Sequence, residues 1–242
     1  MAKHEEIAES LTQDILGGQY RTGERLPSER DLAVRFDANR GAVREAMKKL
    51  EQLGIANIQP GGARVAPLQE ASLDVIGHML AMGDVPDSKL VLNIIEVISA
   101  LVRLAVESAL STATDVDIER LRDYNRPLFQ EGLDDLDHME ARLELMGAIM
   151  SASDNLACQL IARSLLLQLR PRTEPLKAFA QFHTEAHADN ARRLDLALAN
   201  RDADALRLVF ADGAALTRES VLRSFEAYEA AQRAPLTGVA AS

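Results

Sequence analysis

The sequence predicts a mainly α-helical protein in two parts: three short helices with a β-hairpin, then a C-terminal antiparallel α-helical bundle. Three observations lead to this fold class. Apolar residues recur at helical spacing over most of the 242 residues. Glycines interrupt that pattern in "GGQYRTGE" and in "IQPGGAR". Charge also divides the chain, because residues 1–68 carry ten Lys and Arg against ten Asp and Glu, whereas residues 69–242 carry the whole formal charge of −10.

The composition excludes several classes of protein. Hydrophobic residues make up 47% of the chain and charged residues 26%, which is ordinary for a globular protein. No apolar run reaches the roughly 18–20 residues that a membrane span needs, and "MAKHEEIAES" lacks an apolar signal core. Cys158 is the single cysteine, so an internal disulfide and a cysteine zinc cluster are excluded. A cytoplasmic location is therefore expected.

Three short helices are predicted in the N-terminal part. Apolar residues at helical spacing define the first, over residues 3–16. Ser28 is suited to cap the second helix and Asn39 the third, while Gly54 lies where a helix-ending glycine is expected. The segment "IANIQPGGARVAPL" follows and predicts a small β-hairpin. This order of elements is the layout of a winged helix-turn-helix domain, predicted over residues 1–68.

The remaining sequence predicts a bundle of helices joined by short loops, as a second domain over residues 69–233. Pro127 should kink its helix if it lies inside one. The final residues 234–242, "APLTGVAAS", are expected to form a flexible tail. The predicted helices lie near residues 72–82, 87–112, 115–131, 134–152, 155–170, 175–200 and 202–230.

The third predicted helix has a cationic face although the protein is acidic. Arg40, Arg44 and Lys48 recur at i, i+4 and i+8, and Gly41 beside them is small enough to let a large surface approach. The adjacent apolar stripe consists of Val43, Ala46, Leu50 and Leu53, with Met47 at its edge. Three cations at this spacing are by themselves most often a solvated surface. The capped preceding helix, the tight turn and the hairpin instead favour a DNA reader, in which Arg40 or Arg44 pairs with guanine in the major groove.

The run "GERLPSERDLAVRFDANRGAVREAMKKLEQLGI" closely resembles the DNA-binding domain of the GntR family of bacterial transcription regulators. Two motifs carry this resemblance: Gly-x-x-Leu-Pro-Ser-Glu-Arg-x-Leu, starting at Gly23, and Arg-x-x-Val-Arg-Glu-Ala, starting at Arg40. The resemblance implies that Arg30, Arg40 and Arg44 contact DNA and that Gly61 sits at the wing tip. The predicted DNA-binding residues are Ser28, Arg30, Asn39, Arg40, Gly41, Arg44, Lys48, Gly61 and Gly62.

This chain departs from the family pattern at three common contact positions. Asn39, Gly41 and Ala42 stand where the family often has Ser or Thr. Fewer hydroxyl groups leave fewer contacts to phosphates or bases from these positions. The operator is therefore expected to differ from the common one, with Arg40 and Arg44 carrying more of the readout.

The helical domain resembles that of the FadR subfamily, and the resemblance implies a place for a divalent metal. Many members bind the metal through an Asp and a His four residues apart and two more His about 22 residues apart. Alignment on "SASDN" and "LDLALANRDADAL" puts Arg142, Met146, Ala191 and Gly213 at those positions. These residues are poor ligands for a hard cation. No metal and no cofactor are therefore predicted.

The histidines offer a rival metal pair. His183 and His187 are four residues apart, but "HTEAH" is not the zinc-protease motif, and solvent-facing or capping histidines are the favoured interpretation. His78 and His138 are expected to be ordinary surface or partly buried residues. No catalytic constellation is recognisable, so the protein is not predicted to be an enzyme.

An effector is expected in the helical domain instead. Its predicted binding residues are Arg103 or Arg142 for an anionic head group, with Met146 beside them. The effector is expected to be an acidic metabolite or an acyl-CoA, the latter because the metal-free, fatty-acid-responsive member of the subfamily binds acyl-CoA. The predicted function is a ligand-responsive regulator that binds palindromic double-stranded DNA as a homodimer. The alternative is a helical small-molecule-binding protein or enzyme with an incidental helix-turn-helix.

Overall fold

The computed structural model describes residues 2–130, 133–181 and 183–233, and these residues are mainly α-helical, as predicted. The chain forms two compact units, Met1–Asp84 and Val85–Ser242. The predicted tail, 234–242, lies outside the described residues. In the described parts the elements are α1 (Lys3–Leu16), α2 (Glu29–Arg35), α3 (Arg40–Gln52), β1 (Ala56–Gln59), β2 (Gly62–Val65), α4 (Val75–Leu80), α5 (Ser88–Thr112), α6 (Asp115–Asn125), α7 (Asp135–Ala152), α8 (Leu156–Thr173), α9 (Thr184–Ala199) and α10 (Ala203–Arg233).

The helix caps of the N-terminal unit are those that the sequence predicts. Ser28 Oγ accepts a hydrogen bond from the backbone N–H of Asp31 at 3.3 Å, and Asn39 Oδ1 accepts one from the backbone N–H of Ala42 at 2.8 Å. Between α2 and α3 the chain reverses through Asp37, which has a φ of 46°. Aspartate tolerates this left-handed conformation better than most residues, so the short turn forms without a glycine.

The core of the N-terminal unit lies between α1, α2 and α3. Val43, Ala46 and Leu50 of α3 are fully buried, as the apolar stripe predicts. Met47 is also buried, with 6% of its surface exposed, whereas Leu53 packs against the core only partly buried. Leu53 is the C-cap residue of α3 and lies at the end of the stripe.

The predicted hairpin is present and gains a third extended segment. β1 and β2 pair antiparallel around Pro60 and Gly61. The segment 23–26 pairs with β2 on its other side: the Gly23 N–H donates to Val65 O at 2.9 Å, and the Leu26 N–H donates to Ala63 O at 2.9 Å. This pairing was not predicted, because "GGQYRTGE" resembles a simple break between helices.

The first unit is longer than the domain that the sequence predicts. The boundary between the two compact units lies after Asp84, whereas the sequence predicts it after residue 68. Val75 of α4 lies in the same hydrophobic core as α1 and α3, and the Ser72 N–H donates to Leu53 O at 2.9 Å. The residues between 68 and 84 therefore pack with the N-terminal unit.

The helical unit is a bundle in which α7 packs on α5 and α6, α10 packs on α5 and α9, and α8 packs on α5. Two predicted helices are too long. The helix predicted at 115–131 ends at Asn125 and continues as a 3-10 turn that contains Pro127. The helix predicted at 175–200 begins only at Thr184, after a second 3-10 turn that contains Pro175. Proline lacks the N–H that α-helical bonding requires. Along the described ranges no helix has the length and apolar character to cross a membrane.

Candidate nucleic-acid interface and ligand cavity

The cationic face of α3 is exposed, and its three cations differ in their partners. The Arg44 Nε–H lies between both carboxylate oxygens of Glu29, at 3.0 and 2.9 Å, while 65% of the Arg44 side chain stays exposed. Lys48 forms an ion pair with Glu45 at 2.8 Å. Arg40 has no ion-pair partner among the described residues. Arg40 is therefore available to an anion, and Arg44 is pre-oriented by α2.

The small polar residues around this face are occupied by their capping roles. The Ser28 hydroxyl donates to the Asp31 carboxylate at 2.6 Å in addition to capping α2. Asn39 uses Oδ1 for its cap, which leaves its Nδ2 donors for another partner. A Cβ at Gly41 would lie 3.1 Å from that same Oδ1. The absence of a side chain at Gly41 therefore leaves room for the Asn39 cap at the N-terminus of α3. Arg30 is exposed on α2.

The hairpin tip combines glycines with two cations that the sequence analysis did not select. Gly61 has a φ of 101° and open space around it. A Cβ at Gly62 would lie 2.8 Å from Arg25 Nε, so the Arg25 guanidinium lies against the wing backbone. Arg64 on β2 is exposed and donates to Gly23 O at 2.8 Å. The only sequence signal for Arg25 was its place inside the motif that starts at Gly23, at a position that the motif leaves unspecified. Its contact with the wing depends on the unpredicted strand pairing.

A cavity of about 340 Å³ lies within the helical unit. Its walls are mostly aliphatic, and Arg142 on α7 brings a guanidinium to it. That guanidinium bonds to His187 Nδ1 and to Thr217 Oγ1. Further polar residues at its walls include His138, Asn125, Asn190 and Ser220. Three more charged residues line it: Glu140 and Arg170 are exposed, and Lys177 pairs with Glu174 at 2.8 Å. The cavity therefore combines a mostly apolar wall with a polar group centred on Arg142.

Two histidines of this cavity are buried rather than exposed. His138 and His187 are 2% and 3% exposed, and their rings meet edge to face with centroids 5.3 Å apart. Desolvation by burial, followed by the charge of Arg142, lowers the pKa of His138 to about 4 and the pKa of His187 to about 3. Both rings are therefore neutral near pH 7. The expectation of a surface or partly buried His138 was therefore wrong, and so was that of a solvent-facing or capping His187.

The predicted effector residues separate into two groups. Arg142 and Met146 line the cavity, and so do Ala191 and Gly213, the other two positions aligned with the metal ligands. Arg103 is not among the lining residues and lies exposed on α5. The sequence could not separate the two arginines, because each falls in the middle of a long helix.

The residues at the implied metal position do not fit a metal. Arg142 places a cation there, while Ala191 and Gly213 supply no side-chain donor atom. His183, the other member of the rival pair, pairs with Glu219 at 3.2 Å instead of joining His187. Within residues 2–130, 133–181 and 183–233, no group of three or more His, Cys, Asp or Glu residues is placed to hold a metal ion.

Comparison with known proteins points to one family for the N-terminal unit. Residues 3–65 match the model of "Bacterial regulatory proteins, gntR family". The chain is 35% identical to the HTH-type transcriptional regulator Mce2R of Mycobacterium tuberculosis over 94 residues, which cover 38% of this chain and 39% of that protein. It is 33% identical to the HTH-type transcriptional repressor NanR of Cronobacter sakazakii over 127 residues, which cover 48% of this chain and 45% of that protein.

These matches span less than half the length of either relative. A solved structure described as "Lar controls the expression of the Listeria monocytogenes agr system and mediates virulence" covers 93% of this chain and 98% of its own, with a TM-score of 0.52 at 17% identity. That likeness concerns the fold alone. The matched family and the named relatives are regulatory proteins rather than enzymes.

Proposed function

We propose that the protein is a transcription regulator that binds operator DNA as a homodimer and responds to a small molecule. The match of residues 3–65 to the gntR family of bacterial regulatory proteins supports this proposal. The observation that carries the proposal is the exposed cationic face of α3, which lies on a capped helix next to a glycine-tipped wing. DNA as the partner implies a cytoplasmic location. The FadR type of regulator is the subfamily that the helical domain supports best.

In this proposal α3 enters the major groove with its N-terminal end. Arg40 and Arg44 reach base edges, where an arginine reads guanine through O6 and N7. Lys48 and the Asn39 Nδ2 donors reach phosphates. Gly61 at the wing tip allows the backbone to approach the neighbouring minor groove closely. The acidic net charge does not oppose this mode, since the charge on the contacting face decides attraction to DNA.

A homodimer supplies the two DNA-binding domains that a palindromic operator requires, with their contacts about 34 Å apart. Support for self-association comes from exposed apolar side chains at helical spacing in the bundle. On α8 they are Leu156, Leu160 and Leu167, and on α5 they are Val97 and Leu104. Exposed apolar stripes of this kind are typical of protein interfaces.

The cavity in the bundle is the place that we propose for the effector. Its volume, about 340 Å³, falls at the lower end of the range of small-molecule sites. Arg142 supplies the charge that an acidic metabolite requires. Effector binding changes operator affinity only if the DNA-bound and free forms differ in effector affinity, and the coupling acts equally in both directions.

A gel-shift titration against fragments of the host genome at moderate salt tests the proposal. We expect a small set of fragments to bind at least about a thousandfold more tightly than random DNA of equal length. Equal affinity for every fragment would contradict the regulator. If small acids still bound to such a protein, the alternative of a helical small-molecule-binding protein would be favoured.

A further inference from the structure

Arg142 is partly buried as a residue, but the surrounding protein desolvates its guanidinium, whose hydrogen-bond partners are neutral. Among the described residues its hydrogen bonds go to His187 and Thr217, and no carboxylate pairs with it. Desolvation by the surrounding protein lowers the pKa of Arg142 to about 10. The group therefore stays charged near pH 7, and a desolvated charge without a counter-ion is unfavourable.

The directions of the hydrogen bonds show why these neighbours cannot balance the charge. The Ser220 hydroxyl donates to Leu216 O at 2.9 Å, so its oxygen is free to accept from His187 Nε2, which lies 3.3 Å away. His187 then carries its proton on Nε2 and accepts from Arg142 through Nδ1. Thr217 likewise donates to Gly213 O at 2.7 Å and accepts from Arg142. These neutral acceptors orient the guanidinium but bring no negative charge.

Several donors of Arg142 remain for a ligand. A guanidinium has five N–H donors, and the two bonds named above occupy one on each terminal nitrogen. The remaining donors suit the planar, bidentate pairing that arginine makes with a carboxylate. Arg142 also lies at a position where the family resemblance implies a metal ligand, and its positive charge opposes the binding of a metal cation there.

We propose that the cavity binds an aliphatic acid through its free carboxylate, which pairs with the guanidinium of Arg142 where the family resemblance implies a metal. This inference rests on the proposed effector function and narrows its ligand class. The body of the acid lies against the aliphatic wall. This wall includes Val91, Ile98, Leu145, Ile149, Leu166 and Leu169. A CoA thioester is not the preferred ligand, because its acyl end has no carboxylate and its phosphates belong to a nucleotide arm that is too large for a cavity of about 340 Å³.

Two buried amide oxygens indicate a second feature of the ligand. Asn125 is fully buried and donates through Nδ2 to Ala191 O at 2.8 Å. That bond fixes its amide orientation, and its Oδ1 has no partner in the described structure, nor has the Oδ1 of Asn190. Both residues line the cavity. Unpartnered buried acceptors are unfavourable, so a ligand hydroxyl or amino group that donates to them gains affinity.

Isothermal titration calorimetry of the full chain at neutral pH tests the proposal. The probes are straight-chain carboxylates from butanoate to dodecanoate, the neutral octanamide, octanoyl-CoA and the positional isomers of hydroxyoctanoate. We expect at least one carboxylate to bind, and octanoate to bind at least about tenfold more tightly than octanamide or octanoyl-CoA. At least one hydroxyoctanoate should bind more tightly than octanoate.

Arg142→Gln should weaken carboxylate binding by about 10- to 100-fold. Arg103→Gln is the matched control, because it makes the same change in an exposed residue outside the cavity, and it should leave the affinity unchanged. Circular dichroism checks that both variants fold. If Arg142→Gln does not fold, the affinities of the unaltered protein for octanoate and octanamide still show whether the cavity requires a carboxylate.

The proposal is overturned if no carboxylate of the series binds, if octanamide or octanoyl-CoA matches octanoate, or if folded Arg142→Gln retains full affinity. A gel shift on the same samples separates this result from the proposed function. Retained operator binding with no acid binding overturns only the ligand class. Loss of both overturns the regulator as well.

Discussion

At the scale of single residues, Arg44 and Glu29 show how one ion pair serves recognition more than stability. The pair joins α3 to α2, yet most of the Arg44 side chain is exposed, and an exposed pair contributes only about 0–1 kcal/mol to folding. Its main effect is on orientation, since a guanidinium held at Nε presents its terminal nitrogens outward. In the proposed complex with DNA, Arg44 is thus oriented before the base edge is contacted.

We therefore expect Arg44→Ala to relax sequence preference at one base pair of each half-site by about 1–3 kcal/mol, with the free energy of unfolding nearly unchanged. Fluorescence anisotropy with the operator and its single-base variants measures this. Lys48→Ala is the matched control: it should weaken binding to all sequences alike and reduce the salt slope by about one. Unaltered base preference in Arg44→Ala would assign the readout to another residue.

The buried histidines make stability depend on pH at the residue scale. Burial and Arg142 hold the pKa of His138 at about 4 and the pKa of His187 at about 3, below the unfolded value of 6.5. Below pH 6.5 the unfolded chain therefore binds protons that the folded chain excludes. Stability is full above pH 6.5 and falls as the pH drops toward 4 and 3.

At pH 5 we expect a loss of roughly 2 kcal/mol for each of the two histidines relative to pH 7.5. Thermal unfolding midpoints at pH 7.5, 6 and 5 measure it. His138→Gln should reduce this pH sensitivity by about half. An unchanged pH profile in His138→Gln would show that other groups control the loss.

At the scale of elements, local chemistry explains why α3 begins where it does and why two other helices are interrupted. Asn39 caps α3 through Oδ1. Its Nδ2 donors are not used by the cap, so we expect them to contact DNA. Pro127 and Pro175 each coincide with a 3-10 turn. α8 nevertheless continues past Pro171 to Thr173, because a proline near a helix end removes little of the bonding.

The two roles of Asn39 are separable by substitution. Asn39→Asp keeps an acceptor for the cap, so the unfolding free energy should change little, while the lost donors and the added charge should weaken DNA binding at least tenfold. Asn39→Ala should cost about 1 kcal/mol of stability as well. Urea unfolding and gel shifts on both variants measure the two effects. Full DNA affinity in Asn39→Asp would restrict the residue to its cap.

At the scale of the whole molecule, the proposed dimer depends on apolar side chains that a single chain leaves exposed. Leu160 on α8 is 57% exposed and lies at helical spacing between Leu156 and Leu167. A charge in the middle of this stripe would oppose burial against a second copy. Loss of the dimer would also weaken operator binding, because the two winged helix-turn-helix domains would then bind independently.

We expect Leu160→Glu to shift the protein toward monomers and to reduce operator affinity, while keeping its helical content. Light scattering after size-exclusion chromatography gives the mass. Val116→Glu is the matched control, since Val116 is 78% exposed on α6 and stands outside the α5 and α8 stripes. A dimer that survives in Leu160→Glu would place the interface elsewhere.

The sequence by itself determined the mainly helical fold, the winged head and its caps. These features follow from local rules, because capping residues, glycines and apolar periodicity act over a few neighbouring positions. The helical spacing of Arg40, Arg44 and Lys48 likewise identified the cationic face of α3. The effector region was recognisable only as an apolar bundle that contains arginines.

Only the tertiary structure decided which of those residues meet. It brought Arg142 to His187 and Thr217, 45 and 75 positions away in sequence, and left Arg103 outside the cavity. It also buried His138 and paired the segment 23–26 with β2. The physical reason is that a helical pattern shows which residues share a face, whereas the packing of several helices sets which face closes on a cavity and which polar groups lose their water.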